Sequence, residues 1–339
     1  MIITIDKAIL HLCNVIEGVQ VLSEQELDIT DASINAYITS NIEKTFNSPS
    51  CNKGLFNSNS GMKSALIEYE QNKTNLIDLS QFVANRMYEA ISSSSKGHNT
   101  DVLVTEFISN SKRYIGILKL DSKKEFIHRI MNANGKHNTT VATSKNIMPS
   151  SGQSISEFAF ICLSDLKIQY SSKRHMIDGE KVDIMADIIL ECYCETLSSK
   201  EANKKITKLV RSLSVDELES TVKLKSEMMK AIKEQKGNNE MEYNLADISS
   251  KVFAKKHLSD EFIQCAIKDG IIGGKEDNLS IDDYIIKKTN ESIKLVTDNG
   301  CEIKFPSYLY MQNNGIEIEE DGNGYKIIKI KGVQEIEVK

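Results

Sequence analysis

An α+β fold is predicted by three patterns in the sequence. Ile34, Ile38, Ile42 and Phe46 recur every fourth residue, the spacing of a helix with one buried face. Two apolar runs, 102–108 and 114–120, flank the polar turn Ser109-Asn110-Ser111-Lys112 and read as a hairpin too uniformly apolar for a sheet edge. Near the end, Ile316-Glu317-Ile318-Glu319 alternates as a half-buried strand does, and the glycine-flanked turn Asp321-Gly322-Asn323-Gly324 leads into a partner run over 325–330. Together these predict a mixed α/β N-terminal domain with an antiparallel sheet, a helical middle region and a small β-rich C-terminal region.

Taken in order, residues 1–12 read as a strand, and the helix over 34–46 stops near Pro49. Helices are expected at 62–71 and 79–91, the second fraying into the polar run 92–97. After the hairpin come strands at 126–131, 139–143 and 158–170, which close a first domain drawn over 1–180. The second region, 181–270, carries helical stripes: Ile184, Ile188 and Cys192, then Ile206, Leu209, Val210 and Leu213. Ser214-Val215-Asp216-Glu217 has the form of a capping box opening the next helix, with Leu218, Val222, Met229 and Ile232 on it. Two short helices at 245–256 and 260–268 have helix-turn-helix proportions, but Asp260-Glu261 at the reading end would repel phosphates. The third region, 271–339, is acidic and β-rich, with strands at 293–297, 301–305, 316–319 and 325–330.

The 339 residues suffice for two or three domains, and 40% hydrophobic with 27% charged residues is an ordinary globular balance. With 42 Lys+Arg against 48 Asp+Glu the net charge is −6, so any nucleic-acid contact needs a local patch. No apolar stretch approaches the roughly 18 residues of a membrane span, and the start lacks a cationic leader with an apolar core, so a cytoplasmic protein with no membrane partner is expected. Seven cysteines, an odd number over a long chain, read as reduced thiols, and Cys192-Tyr193-Cys194 misses the spacing of a zinc pair.

Enzyme patterns are absent. Gly270-Ile271-Ile272-Gly273-Gly274-Lys275 lacks phosphate-loop spacing, the histidines lack ligand spacing, and no G-x-S-x-G occurs. Asp178, Glu180, Asp183 and Asp187 form the densest carboxylate group in the middle of the chain and read as a capped helix start. No catalytic residue, metal or cofactor is expected.

Charge is unevenly distributed. Residues 112–145 hold eight cations (Lys112, Arg113, Lys119, Lys123, Lys124, Arg129, Lys136, Lys145) against Asp121 and Glu125, whereas 276–321 hold eleven acids against four lysines. A hairpin carrying the first segment can lie along phosphates and displace their counterions, while the acidic tail repels contact elsewhere. A second cationic face is expected on the helix over 201–213, where Lys204, Lys208 and Arg211 fall at i, i+4 and i+7.

The order of these features resembles the bacterial nucleoid-associated protein family, the NdpA-like proteins. The likeness runs through Ile9-Leu10-His11, the helix end Ile42-Glu43-Lys44-Thr45-Phe46, Lys53-Gly54-Leu55-Phe56, a middle helix over 182–197, Gly300-Cys301-Glu302-Ile303-Lys304-Phe305 and Ile327-Ile328-Lys329-Ile330-Lys331-Gly332. It implies a cytoplasmic protein found with the bacterial chromosome, associated with DNA, and supplies no catalytic residue. Two functions are therefore expected: weak, sequence-tolerant DNA binding through the basic surface, or an adaptor that reaches the nucleoid by binding a DNA-processing enzyme. A homo-oligomer is compatible with either.

Overall fold

The computed structural model describes residues 2–46, 48–133, 136–151, 153–214, 216–234, 240–311 and 315–335. The chain divides into two compact units, Met1–Glu195 and Thr196–Lys339, where the sequence pattern drew boundaries near 180 and 270.

The first unit runs β1 (Ile3–Asn14), β2 (Val19–Val21), α1 (Ala32–Thr45), β3 (Asn52–Phe56), α2 (Gly61–Glu70), α3 (Leu76–Ser92), β4 (Thr100–Ser109), β5 (Lys112–Asp121), β6 (Lys123–Ala133), β7 (Lys136–Ile147), β8 (Phe158–Cys162), β9 (Ile168–Ser171), β10 (Arg174–Ile177), β11 (Glu180–Asp183), a π-helix (Ile184–Leu190) and β12 (Cys192–Thr196). Eight of the strands form one sheet in the order β12-β3-β9-β8-β5-β4-β1-β2.

Both faces of this sheet are buried, which explains why its central strands read as continuous apolar runs. Val102, Val104, Ile115, Ile117, Ala159 and Ile161 pack in the core that α2, α3 and the π-helix cover. Their neighbours Leu103, Phe107, Leu118, Leu120, Phe158 and Phe160 point the other way, as the strand period of two requires, and meet Ile38, Ile42 and Phe46. Phe46 makes edge contacts with Phe107 and Phe160, ring centroids 5.4 and 5.2 Å away. Asp31 starts α1 by accepting the backbone N–H groups of Ser33 and Ile34.

The helix expected over 182–197 is not an α-helix. Asp183 caps a seven-residue π-helix by accepting the Ala186 N–H at 3.0 Å, and Glu191 ends it in a left-handed conformation at φ 51°. Cys192, assigned to the helical stripe by its spacing, begins β12 instead. Of the stripe, Ile184 and Cys192 are buried and Ile188 is half-buried, but three residues at this spacing cannot distinguish a short wide helix flanked by strands from a long α-helix.

The second unit contains α4 (Ser199–Leu213), α5 (Glu217–Glu234), β13 (Glu240–Asn244), α6 (Leu245–Val252), α7 (Lys256–Lys268), β14 (Asn278–Asp282), α8 (Asp283–Asn290), β15 (Ser292–Val296), β16 (Glu302–Pro306), α9 (Tyr308–Met311), β17 (Ile316–Glu320) and β18 (Lys326–Ile330). Its strands pair as three separate ribbons, β13–β14, β15–β16 and β17–β18. Helix α5 joins helices and tail: Leu224 and Met228 enter the helical core, while Val222 packs with Ile293, Phe305 and Ile316 from the tail. The capping box also shifts. Ser214 closes α4, its backbone N–H reaching Arg211, and Asp216 opens α5 by accepting the Glu219 N–H at 2.9 Å.

Candidate nucleic-acid interface

Strand β5 leaves the large sheet at Asp121, and the chain then runs out and back as β6 and β7. Among the described residues these two pair with each other and with no other strand, from Lys123 opposite Ile147 through a register shift to Glu125 opposite Ser144 and on to Ala133 opposite Lys136. The root of this ribbon is fastened by Asn99, whose carbonyl accepts the Ser122 N–H at 2.9 Å and whose side-chain amide donates to Asn146 Oδ1 at 2.8 Å. Every residue from Lys123 to Ile130 is exposed. The ribbon is thus an arm on a rigid sheet.

The basic segment splits into two halves. In the half within the large sheet, cations are neutralised. Arg113 donates to Glu106 at 2.6 Å and to Glu70 at 3.1 Å, and Lys112 lies 3.6 Å from Asp165. Lys119 is 2% exposed and bonds Glu157 Oε2 at 2.8 Å and Asp121. Two histidines extend this network: His98 Nε2 lies 2.8 Å from Asp121, and His175 Nε2 lies 2.8 Å from Glu157. Burial pushes the Asp121 carboxyl up, but the His98 hydrogen bond and the Lys119 charge outweigh it and hold the group well below the usual carboxylate range. The hydrogen bond to Asp121 in turn lifts His98 above the ordinary imidazole value against the effect of burial.

The expectation of a basic surface over 112–145 is therefore corrected at Lys119, while Lys112 and Arg113 are exposed with carboxylate partners. Lys119 is interior, Arg113 serves a cluster with Tyr69, Glu70 and Glu106, and Lys112 faces Asp165. A lysine between Leu118 and Leu120 in an apolar run was the signal for the first, because a buried ammonium needs carboxylate partners. For the second, Glu106 lies on the facing strand of the same hairpin, whereas Glu70 comes from far along the chain.

On the arm the outcome is different. Lys123, Lys124 and Arg129 are exposed and form no ion pair among the described residues, where Glu125 is the acid on the same strand. The side chains of Lys136 and Lys145 lie outside the described residues; their backbones belong to β7.

In the second unit, Lys204 and Lys208 are exposed along α4. Arg211 lines an open concavity of about 730 Å³ together with Thr221, Lys225, Lys294 and Lys326. Lys294 bonds Glu302 at 2.7 Å, and Lys326 bonds Glu320 at 2.7 Å and Asp216 at 3.1 Å. Lys225 donates to the carbonyls of Thr289 and Ser292, and burial together with the Arg211 charge lowers its pKa. Helix α7 starts at Lys256, ahead of Asp260-Glu261, and buries Phe262, Ile263 and Ala266.

The middle carboxylates do not converge as ligands. Asp183 caps the π-helix, Asp187 accepts the Asp183 N–H at 2.8 Å, and Asp178 sits in the turn between β10 and β11. Among the described residues, no group of three or more His, Cys, Asp or Glu is placed to hold a metal ion, and no helix is long and apolar enough to cross a membrane.

The sequence model for a family described as nucleoid-associated protein YejK matches residues 9–334, nearly the whole chain. A search of the curated proteins gave no match.

Proposed function

We propose that this chain, which belongs to the nucleoid-associated protein YejK family, contacts DNA directly, weakly and without sequence preference, and that the β6–β7 arm makes the contact. The family is described as one of nucleoid-associated proteins. One observation carries the proposal for the arm: among the described residues, Lys123, Lys124 and Arg129 stand exposed without an ion pair on a ribbon that pairs with no further strand, while neighbouring cations of the same segment are tied to carboxylates. Each such cation can neutralise one phosphate and release its counterion, which yields binding that salt weakens steeply and sequence barely affects.

The test is retention of the purified, nuclease-treated protein on duplex DNA. K123E/K124E/R129E is expected to lose retention at salt concentrations where the parent protein holds, with its thermal unfolding unchanged. Retention equal to the parent's overturns the proposal. The net charge of −6 favours a second reading, an adaptor recruited by a DNA-processing enzyme. Under that reading the charge-reversed protein keeps its partner in a nuclease-treated pull-down and the parent protein does not bind bare DNA.

A further inference from the structure

The concavity of about 730 Å³ in the second unit, walled by α5, β15 and the β17–β18 ribbon, has the size of a small-molecule site. Two helices supply its cationic end. Arg211 comes from the last turn of α4 and Lys225 from α5, and among the described residues neither has a carboxylate partner. Lys225 donates to the carbonyls of Thr289 and Ser292 at 3.0 and 3.3 Å, which leaves one of its three N–H groups free. Like charges held together repel, and an anion shared by both relieves the repulsion. Thr221, one turn before Lys225 on the same face of α5, also lines the concavity. It is 8% exposed, and its hydroxyl has no hydrogen-bond partner among the described residues. Burying a hydroxyl unpaired is unfavourable, and a ligand oxygen beside it removes that penalty.

The other end of the concavity has the opposite character. Glu217 lines it two turns before Lys225, about 12 Å along α5. Asp298 lines it just beyond β15, a strand that runs about 14 Å from Ser292 to Val296. The remaining lysines of the wall are engaged, Lys294 with Glu302 and Lys326 with Asp216 and Glu320. Tyr325, next to Lys326 and 70% exposed, supplies an aromatic ring. Inorganic phosphate would use only the cationic end. A span of about 12 Å with cations at one end, acids and an aromatic ring at the other suits a ligand with phosphates on one side and an uncharged ring and hydroxyls on the other.

We propose that this concavity binds a nucleotide: Arg211 and Lys225 hold the phosphates, the Thr221 hydroxyl donates to a phosphate oxygen, Tyr325 stacks on the base, and Glu217 and Asp298 accept hydrogen bonds from the sugar hydroxyls. The proposal uses residues of the second unit alone and does not rest on the reading of the β6–β7 arm.

The experiment is titration calorimetry of the purified, nuclease-treated protein with the four nucleoside 5′-diphosphates, with adenosine and with inorganic phosphate. At least one diphosphate is expected to bind the parent protein about tenfold or more tightly than adenosine or phosphate does. R211Q changes an exposed side chain, so thermal unfolding is expected to stay the same while diphosphate affinity falls about tenfold or more. Y325S is expected to weaken the diphosphate and leave phosphate binding unchanged, and K123E/K124E/R129E to bind the diphosphate as the parent does. Absence of binding by all four diphosphates at millimolar concentration overturns the site, as does equal affinity in R211Q or adenosine binding as tightly as the diphosphate. Displacement of the diphosphate by duplex DNA, with R211Q weakening both ligands alike, assigns Arg211 to DNA phosphates and overturns the nucleotide reading.

Discussion

His11 and Asp101 are buried on the paired strands β1 and β4, and their titrations oppose each other. Burial lowers His11 to about 4; its Nδ1 accepts the Ser23 N–H and its Nε2 has no partner among the described residues. Between about pH 4 and 6.5 the unfolded chain binds a proton at His11 that the folded one refuses, so this group alone lowers stability as pH falls, by about 1.4 kcal/mol per unit. Burial raises Asp101 to about 6. Between about pH 4 and 6 the folded chain keeps a proton there that the unfolded chain releases, so this group alone lowers stability as pH rises. The parent protein is expected to show a nearly flat contribution from the pair across that window in urea unfolding. D101N exposes the His11 slope, with stability rising with pH, and adds on the order of 2 kcal/mol at pH 7; H11N, whose Oδ1 can still accept the Ser23 N–H, exposes the reverse slope. Lys119 gives a simpler expectation: K119M takes the ammonium from Glu157 and Asp121, leaving them His175 and His98, and costs about 3 kcal/mol by the same measurement. Residues like these were only partly legible. The apolar run around Lys119 was a sign of burial, but the charge count over 112–145 placed it on the basic surface, and its partners Glu157 and His98, with His175 beyond Glu157, come from distant segments that only the fold assembles.

At the scale of elements, periodic segments were readable and junctions were not. The four-residue spacing of Ile34 to Phe46 gave α1, and the hairpin runs gave β4 and β5, because both patterns record burial against a surface. The 158–170 run is two strands, β8 and β9, turning at Leu166 with φ 54°, and α8 was missed since its buried pair Ile285-Ile286 lies in an acidic, lysine-rich stretch. Gly116 shows how closely the sheet is packed. A Cβ there would lie 3.0 Å from Thr105 Cγ2 and 3.2 Å from the Phe160 ring. G116V is expected to destabilise the first unit by about 1–3 kcal/mol in urea unfolding, and an unchanged midpoint contradicts that packing.

Across the whole molecule, the governing property is where positive charge is left unmatched. The sequence showed that cations cluster over 112–145 and acids over 276–321; it did not show that Lys119 faces inward or that Lys112 and Arg113 pair with Asp165, Glu70 and Glu106. Within 112–145, folding buries Lys119 and pairs Lys112 and Arg113 with carboxylates, while Lys123, Lys124 and Arg129 on the arm are exposed and form no ion pair among the described residues. The boundary near 270 likewise dissolves because α5 lends one face to the helical core and another to the tail. The account is tested most directly by the slope of log binding constant against log salt concentration for duplex DNA. Neutralising the arm with K123Q/K124Q/R129Q is predicted to flatten that slope by about 2.7, or about 0.9 for each phosphate no longer paired. A slope identical to that of the parent protein contradicts it.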